Sequence, residues 1–219
     1  MFRVSCFSKH ETRNIERKTQ NAKRETQNMT TYLQTNWIEI TGAILSLIYL
    51  YLSIKQKLSL WIFGFLSSAF YIVIFFQTKF YADMSLQFYY LGISVYGWLN
   101  WKKGATEMGK ELATSKTSWQ LTLKLALSGI FIFLIYYLIL ARFTDSTIPF
   151  ADSIVGMLSI IGTWMLARKL LENWLVWIVA DALATGLFFY KGLYPTAILF
   201  IIYTAMAGVG YWQWKKVKT

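Results

Sequence analysis

Gly97-Trp98-Leu99-Asn100-Trp101-Lys102-Lys103 returns 113 positions later as Gly210-Tyr211-Trp212-Gln213-Trp214-Lys215-Lys216. Extended from this pair, residues from about Trp37 to Lys103 align without a gap on residues from about Phe150 to Lys216. Trp61 falls on Trp174, Tyr90 on Tyr203, Phe75-Phe76 on Phe188-Phe189 and Tyr81 on Tyr194. Both copies are mostly apolar. A duplicated apolar unit is how many membrane transporters build a pathway between two similar halves.

The composition supports a membrane reading. Of 219 residues, 56% are hydrophobic and 18% aromatic, where soluble domains sit at about 45–50% apolar. The apolar stretches run to about 18–23 residues, enough to cross a hydrocarbon core of about 30 Å. Backbone polar groups in lipid must be satisfied within the segment, so each span is expected to be a helix. The net charge of +11 collects in a polar tail and at helix ends, a membrane-protein distribution that gives no reason to expect nucleic acid. Cys6 and His10 are single and lie in the tail. The apolar region therefore holds no thiol or imidazole for heme, zinc or redox chemistry, and no cofactor is expected. No phosphate-binding glycine loop, His-Glu metal motif or nucleophile elbow occurs, so enzymatic activity is not expected.

Seven spans are expected: Trp37–Ile54, Leu58–Phe76, Ala82–Trp101, Trp119–Ala141, Phe150–Leu166, Asn173–Tyr190 and Tyr194–Trp214. The connections Lys55–Lys57, Gln77–Tyr81 and Tyr190–Leu193 are short and make neighbours antiparallel. The expected organisation is an all-α membrane protein of two three-helix repeats joined by one inverting helix, a 3+1+3 plan. Three spans plus a linker span return the chain to the same side, so the repeats are parallel, related by an axis along the membrane normal. The divisions are 1–35, a polar tail expected to be disordered; 36–103, the first repeat; 104–147, a loop and linker helix; and 148–219, the second repeat with a basic end.

The positive-inside rule orients this plan. One side holds Lys55, Lys57, Lys102, Lys103, Lys110, Lys116, Arg168, Lys169, Lys215, Lys216 and Lys218; the other, tail excluded, holds Lys79, Arg142 and Lys191. The eleven-to-three bias puts the C-terminus in the cytoplasm and the N-terminus outside. Seven basic residues between Arg3 and Arg24 oppose that placement. Either the tail is translocated against preference or translation starts at Met29, and the second is favoured.

Within the sixth span, Trp174, Trp177, Asp181, Thr185 and Phe188 share one helical stripe. A carboxylate at mid-span is expensive, so Asp181 is expected to face a polar interior. Two indole faces beside an acid suit a flat, cationic ring. The counterparts in the first copy are Trp61, Gly64 and Ser68, so the second indole and the acid belong to one half. In the third span, Asp83, Gln87, Tyr90, Ser94 and Trp98 form a second polar stripe, and Gln87 can both donate and accept. Its counterpart is Phe200, whereas Tyr90 and Tyr203 occur in both copies. The candidate ligand residues are Trp174, Trp177, Asp181, Gln87, Tyr90, Thr185, Trp98 and Tyr203. Competing roles are interhelical packing for Gln87 and the tyrosines, and a solvated helix start for Glu39 and its mate Asp152. Gly42, Ser46, Ser159 and Gly162 read as close-packing positions, and Trp98, Trp101, Trp212 and Trp214 as interfacial belt residues beside lysines.

Asn36-Trp37-Ile38-Glu39-Ile40-Thr41-Gly42, Phe80-Tyr81-Ala82-Asp83-Met84-Ser85-Leu86-Gln87 and Glu172-Asn173-Trp174-Leu175-Val176-Trp177 resemble segments of the PnuC family of bacterial vitamin transporters. So do Tyr96–Trp101, Phe189–Tyr194 and Gly210–Trp214. The resemblance covers about residues 36 to 216. It implies a fold similar to the SWEET sugar transporters, a homotrimer in the bacterial inner membrane, and facilitated diffusion of nicotinamide riboside. It also implies a cytoplasmic kinase that traps the substrate by phosphorylation. The family's substrate-binding Trp-x-x-Trp element carries over to Trp174 and Trp177, and Gln87 and Asp181 match polar family positions. Thiamine, another cation with a hydroxylated arm, is the alternative substrate within the family. A non-transporting membrane receptor or scaffold is the alternative from another class.

Overall fold

The computed structural model describes residues 4–77, 81–108, 112–144 and 146–217. Seven helices account for most of them: α1 (Val4–Ile54), α2 (Leu60–Gln77), α3 (Tyr81–Met108), α4 (Trp119–Phe143), α5 (Pro149–Ala167), α6 (Asn173–Tyr190) and α7 (Tyr194–Val217). The expected turn at 77–81 and Lys110 and Lys218 fall outside the described residues, wholly or in part, as do the side chains of Glu39 and Asp83. Five helices are long and apolar enough to cross a membrane: α2, α4, α5, α6 and α7. In α1 the continuous apolar part is Ile44–Ile54. In α3 the run is diluted by Gln87, Ser94 and Asn100.

The polar stretch expected to be disordered is helical from Val4. Its Lys, Arg, Glu and Gln residues are good helix formers, and Thr26 and Thr31 return their hydroxyls to the carbonyls of Ala22 and Gln27 (2.8 and 2.9 Å). Residues 17–28 are exposed throughout. The chain divides into two compact units, Met1–Thr41 and Gly42–Thr219, and α2 to α7 all belong to the second.

The duplication is visible bond by bond. At the end of α1, Lys55 N–H donates to Tyr51, Gln56 to Ser53 and Lys57 to Leu52 (3.1, 3.1 and 3.0 Å). At the end of α5, Arg168 donates to Trp164, Lys169 to Leu166 and Leu170 to Met165 (3.1, 2.9 and 3.0 Å). Every donor and acceptor is displaced by 113. Both turns are Schellman motifs, whose closing residue is left-handed and usually glycine. Here the closing residues are Gln56 (φ 53°) and Lys169 (φ 54°). At the end of α6 the same motif uses Gly192 (φ 72°). A left-handed side chain costs about 1–2 kcal/mol, so Gln56 and Lys169 must be kept for what their side chains do. Both are buried; Gln56 accepts a hydrogen bond from Thr114 (3.4 Å), and the Lys169 ammonium lies over the Trp101 ring (4.7 Å).

Above these turns four buried tryptophans form a cross. Trp61 meets Trp101 edge-on (5.6 Å, 89°) and Trp174 meets Trp214 in the same way (5.5 Å, 85°). Trp101 and Trp214 contact each other between the halves (6.2 Å). Trp101 Nε1 donates to the Ala167 carbonyl (3.2 Å) and Trp214 Nε1 to the Ser53 carbonyl (3.0 Å), so each half closes the first helix of the other. Trp61 and Trp174 lie flat on glycines: a Cβ at Gly97 would collide with the Trp61 indole, and one at Gly210 would come within 2.6 Å of Trp174. This corrects the belt reading of Trp101 and Trp214, which are core residues. Trp212 is 58% exposed, with the Lys216 ammonium over its ring (3.3 Å). Trp214 follows it by two residues, about 200° around the helix, and so points the opposite way.

The stretch from Leu112 to Ser118 straps across both turns. Thr114 reaches Gln56 in the first. Ser115 exchanges backbone hydrogen bonds with Lys169 and Leu171 in the second (3.1 and 2.9 Å), and Thr117 gives both its N–H and its hydroxyl to Glu172 (2.8 and 2.7 Å). The Ser118 hydroxyl then caps α4 by accepting from Leu121 N–H (3.3 Å). α4 packs on α5, where Gly156 admits the Tyr136 ring, and exposes Leu127, Ile130, Phe131 and Leu134 on its other side.

Candidate functional site

The helices beyond the tryptophan cross bring polar groups together from both halves. α3 packs on α5 through Tyr89, whose hydroxyl donates to the Ile160 carbonyl (2.8 Å), and through Asn100, whose amide donates to Ala167 (2.9 Å). This contact sets Tyr90 of α3 beside Ser159 of α5 and within electrostatic reach of Asp181 of α6. Tyr203 of α7 is within electrostatic range of the same carboxylate and of Tyr71 of α2. Tyr90 and Tyr203 therefore both stand within electrostatic range of Asp181.

Asp181 is 6% exposed. No hydrogen bond or ion pair to its carboxylate occurs among the described residues; Thr185 spends its hydroxyl on the Asp181 backbone carbonyl instead (2.8 Å). An unmatched carboxylate in this setting is costly, and a cation placed against it would recover that cost. Asp152, the other acid expected near a span end, differs: it pairs with Lys191 (2.8 Å) and accepts from Ser146 (2.6 Å) in the first turn of α5, a solvated position favoured by the helix dipole.

The remaining candidates divide. Trp177 sits one turn before Asp181, half-buried, its indole against Gly162 (3.2 Å from a Cβ built there). Gln87 is half-buried one turn before Tyr90 on the same face, its amide without a protein partner among the described residues. Trp174 lies a turn below Trp177 inside the cross, with its Nε1 buried and unpartnered, the same state as its mate Trp61 Nε1. Trp98 packs at the level of the cross with the Lys102 ammonium over its ring (4.7 Å), about 12 Å along α3 from Tyr90. Trp177 is thus one helical turn from the acid, Trp174 two turns from it on the same helix, and Trp98 at the level of the cross. Tyr49, Tyr71 and Ser159 complete the surroundings. Their spacing on the first, second and fifth spans carries no special signal, because a Tyr or Ser on an apolar helix reads equally well as packing.

The chain matches the family model described as nicotinamide mononucleotide transporter over residues 36–216. It is 26% identical over 203 residues to the nicotinamide riboside transporter PnuC of Escherichia coli (strain K12), covering 82% of this chain and 85% of that one. The riboflavin/roseoflavin transporter RibM of Streptomyces davaonensis is 25% identical over 182 residues, covering 81% and 84%. In fold the chain is similar to the crystal structure of the vitamin B3 transporter PnuC, with a TM-score of 0.69 at 20% identity over 86% of this chain and 84% of that one. The relatives are transporters rather than enzymes. This is a multi-pass, all-helical membrane transporter, and it belongs to the nicotinamide mononucleotide transporter family.

Proposed function

We propose that the protein carries nicotinamide riboside into bacterial cells by facilitated diffusion across the inner membrane. The observation that carries this reading is the buried, unpartnered Asp181 carboxylate set one turn from the Trp177 indole and beside Tyr90 and Tyr203. A pyridinium ring would stack on the indole and neutralise the acid, while the ribose hydroxyls would meet the tyrosines and the Gln87 amide. The phosphate of the mononucleotide would bring negative charge to a site that already has an unmatched carboxylate, so the riboside is favoured over its nucleotide. Phosphorylation by a cytoplasmic kinase then traps the product. Trp174, Thr185 and Trp98 hold the neighbouring turns of α6 and α3 in place.

The turns repeated at an offset of 113, and the cross they share, support a 3+1+3 arrangement in which α1–α3 and α5–α7 are parallel repeats and α4 inverts the chain between them. α1 and α3 then cross the membrane with the five more apolar helices, their polar residues turned toward the pathway. The basic residues around both turns and the strap favour a cytoplasmic location for that end and for the C-terminus. A homotrimer is proposed on family resemblance.

Calorimetric titration of the purified protein with nicotinamide riboside, its mononucleotide, thiamine and riboflavin tests the reading. The riboside is expected to bind, and Trp177→Ala to abolish binding in a protein that still unfolds cooperatively. Thiamine binding without riboside binding would move the substrate assignment, and failure of all four ligands would remove it.

A further inference from the structure

The two halves exchange a ring and a glycine at one crossing. In the second half, Trp177 of α6 lies over Gly162 of α5. Shifted by 113, those positions are Gly64 of α2 and Tyr49 of α1, and there the ring belongs to the other helix: Tyr49 lies over Gly64, 2.9 Å from a Cβ built on that glycine. Each half thus places one aromatic ring at the same level, five residues before the end of its first helix. The donor helix is α1 in one half and α6 in the other. Tyr49 and Trp177 both rest on the buried cluster that contains the cross, and both are only partly buried themselves. Tyr49 lies within electrostatic range of Tyr90, and Tyr90 of Asp181. Tyr90 is therefore within range of both Tyr49 and the acid, in the half that lacks a Trp at this level.

We infer that Tyr49 is a substrate-binding residue: its ring, held by Gly64, forms the first-half wall of the site and faces the same flat cationic ligand that Trp177 contacts from the second half. The exchange gives a nearly symmetric frame two different walls, an indole on one side and a phenol on the other, as a ligand with a ring at one end and hydroxyls at the other requires. Gly64 is kept small because any side chain there would push the Tyr49 ring out of place. This inference rests on the transport reading above and adds a residue to it that no motif marks.

The test titrates wild type, Tyr49→Phe, Tyr49→Leu and Gly64→Ala with nicotinamide riboside and measures the unliganded unfolding midpoint of each. Wild type should bind. Tyr49→Leu should lose about tenfold in affinity, and Tyr49→Phe, which keeps the ring, about threefold or less. Gly64→Ala should follow Tyr49→Leu, because its methyl meets the Tyr49 ring; it decides the matter if Tyr49→Leu does not fold. A lowered midpoint with unchanged affinity in both Tyr49→Leu and Gly64→Ala would make Tyr49 a packing residue and overturn the inference while leaving the transport reading intact. Absence of binding by wild type would overturn both.

Discussion

At the Trp61–Trp101–Trp214–Trp174 cross, the main contacts of one half have mates in the other: the same edge-on geometry, the same glycine beneath each first-turn indole, the same backbone bonds at the turn. One turn further along α2 and α6 the mates part company. Gly64 stands where the second half has Trp177, and Ser68 where it has Asp181. Agreement marks positions where the two units must fit each other, since a shared interface punishes a change on either side. Disagreement marks positions that face something without two-fold symmetry. A small asymmetric ligand is such a thing, and the carboxylate that has no partner among the described residues lies on the disagreeing side.

Paired substitutions put this contrast at risk. Trp101→Ala and Trp214→Ala each remove a buried indole at the centre of the cross and should each cost about 3–5 kcal/mol of folding stability. Equal costs, read from unfolding of the purified protein without ligand, are the signature of equivalent roles. A large loss in one half only would show that the cross is not a common frame. Gly97→Ala and Gly210→Ala should follow with smaller and again matching costs of about 1–3 kcal/mol, because each methyl would be driven into an indole that is itself enclosed.

Much of the frame could be read from residues alone, because it is written twice. The bounds of α6 coincide with the expected span, and the paired Gly97/Gly210 and Trp101/Trp214 stand out in any self-alignment. What could not be read was direction. Trp101 beside Lys102 looks like an interfacial residue in sequence, and only packing turns it inward. The polar stretch before Met29 reads as disordered because it lacks apolar residues, yet helix formation needs none. At the site, the stripe of Trp177 and Asp181 was legible from helical spacing, whereas Tyr49 was hidden. Its role depends on a glycine fifteen residues away that means nothing until the two helices cross.

Asp181→Asn probes the disagreeing side. It should weaken a cationic riboside about tenfold, or about 1.4 kcal/mol, with little loss of stability, since the carboxylate it replaces supports no hydrogen bond among the described residues. Glu39→Gln should leave binding unchanged. Isothermal titration of both variants separates the cases, and equal losses would argue that charge acts at long range rather than at this cluster.

A weaker effect is expected at the strap, where agreement and disagreement meet in one segment. Thr117 donates twice to Glu172 in the second-half turn, at 2.8 and 2.7 Å, while the first-half turn receives one longer bond from Thr114 to Gln56 at 3.4 Å. The first-half mate of Glu172 is Ser59, which is too short to reach out in the same way. The strap is therefore anchored on one half and merely leans on the other. Thr117→Val should cost about 1 kcal/mol, less than the ~1.5–3 kcal/mol usual for a hydrogen bond to a charged group, because the backbone donor still pairs Glu172. Thr114→Val should cost less, because a 3.4 Å contact is near the limit of a useful bond. Reversal of that order in unfolding measurements would place the anchor on the first half.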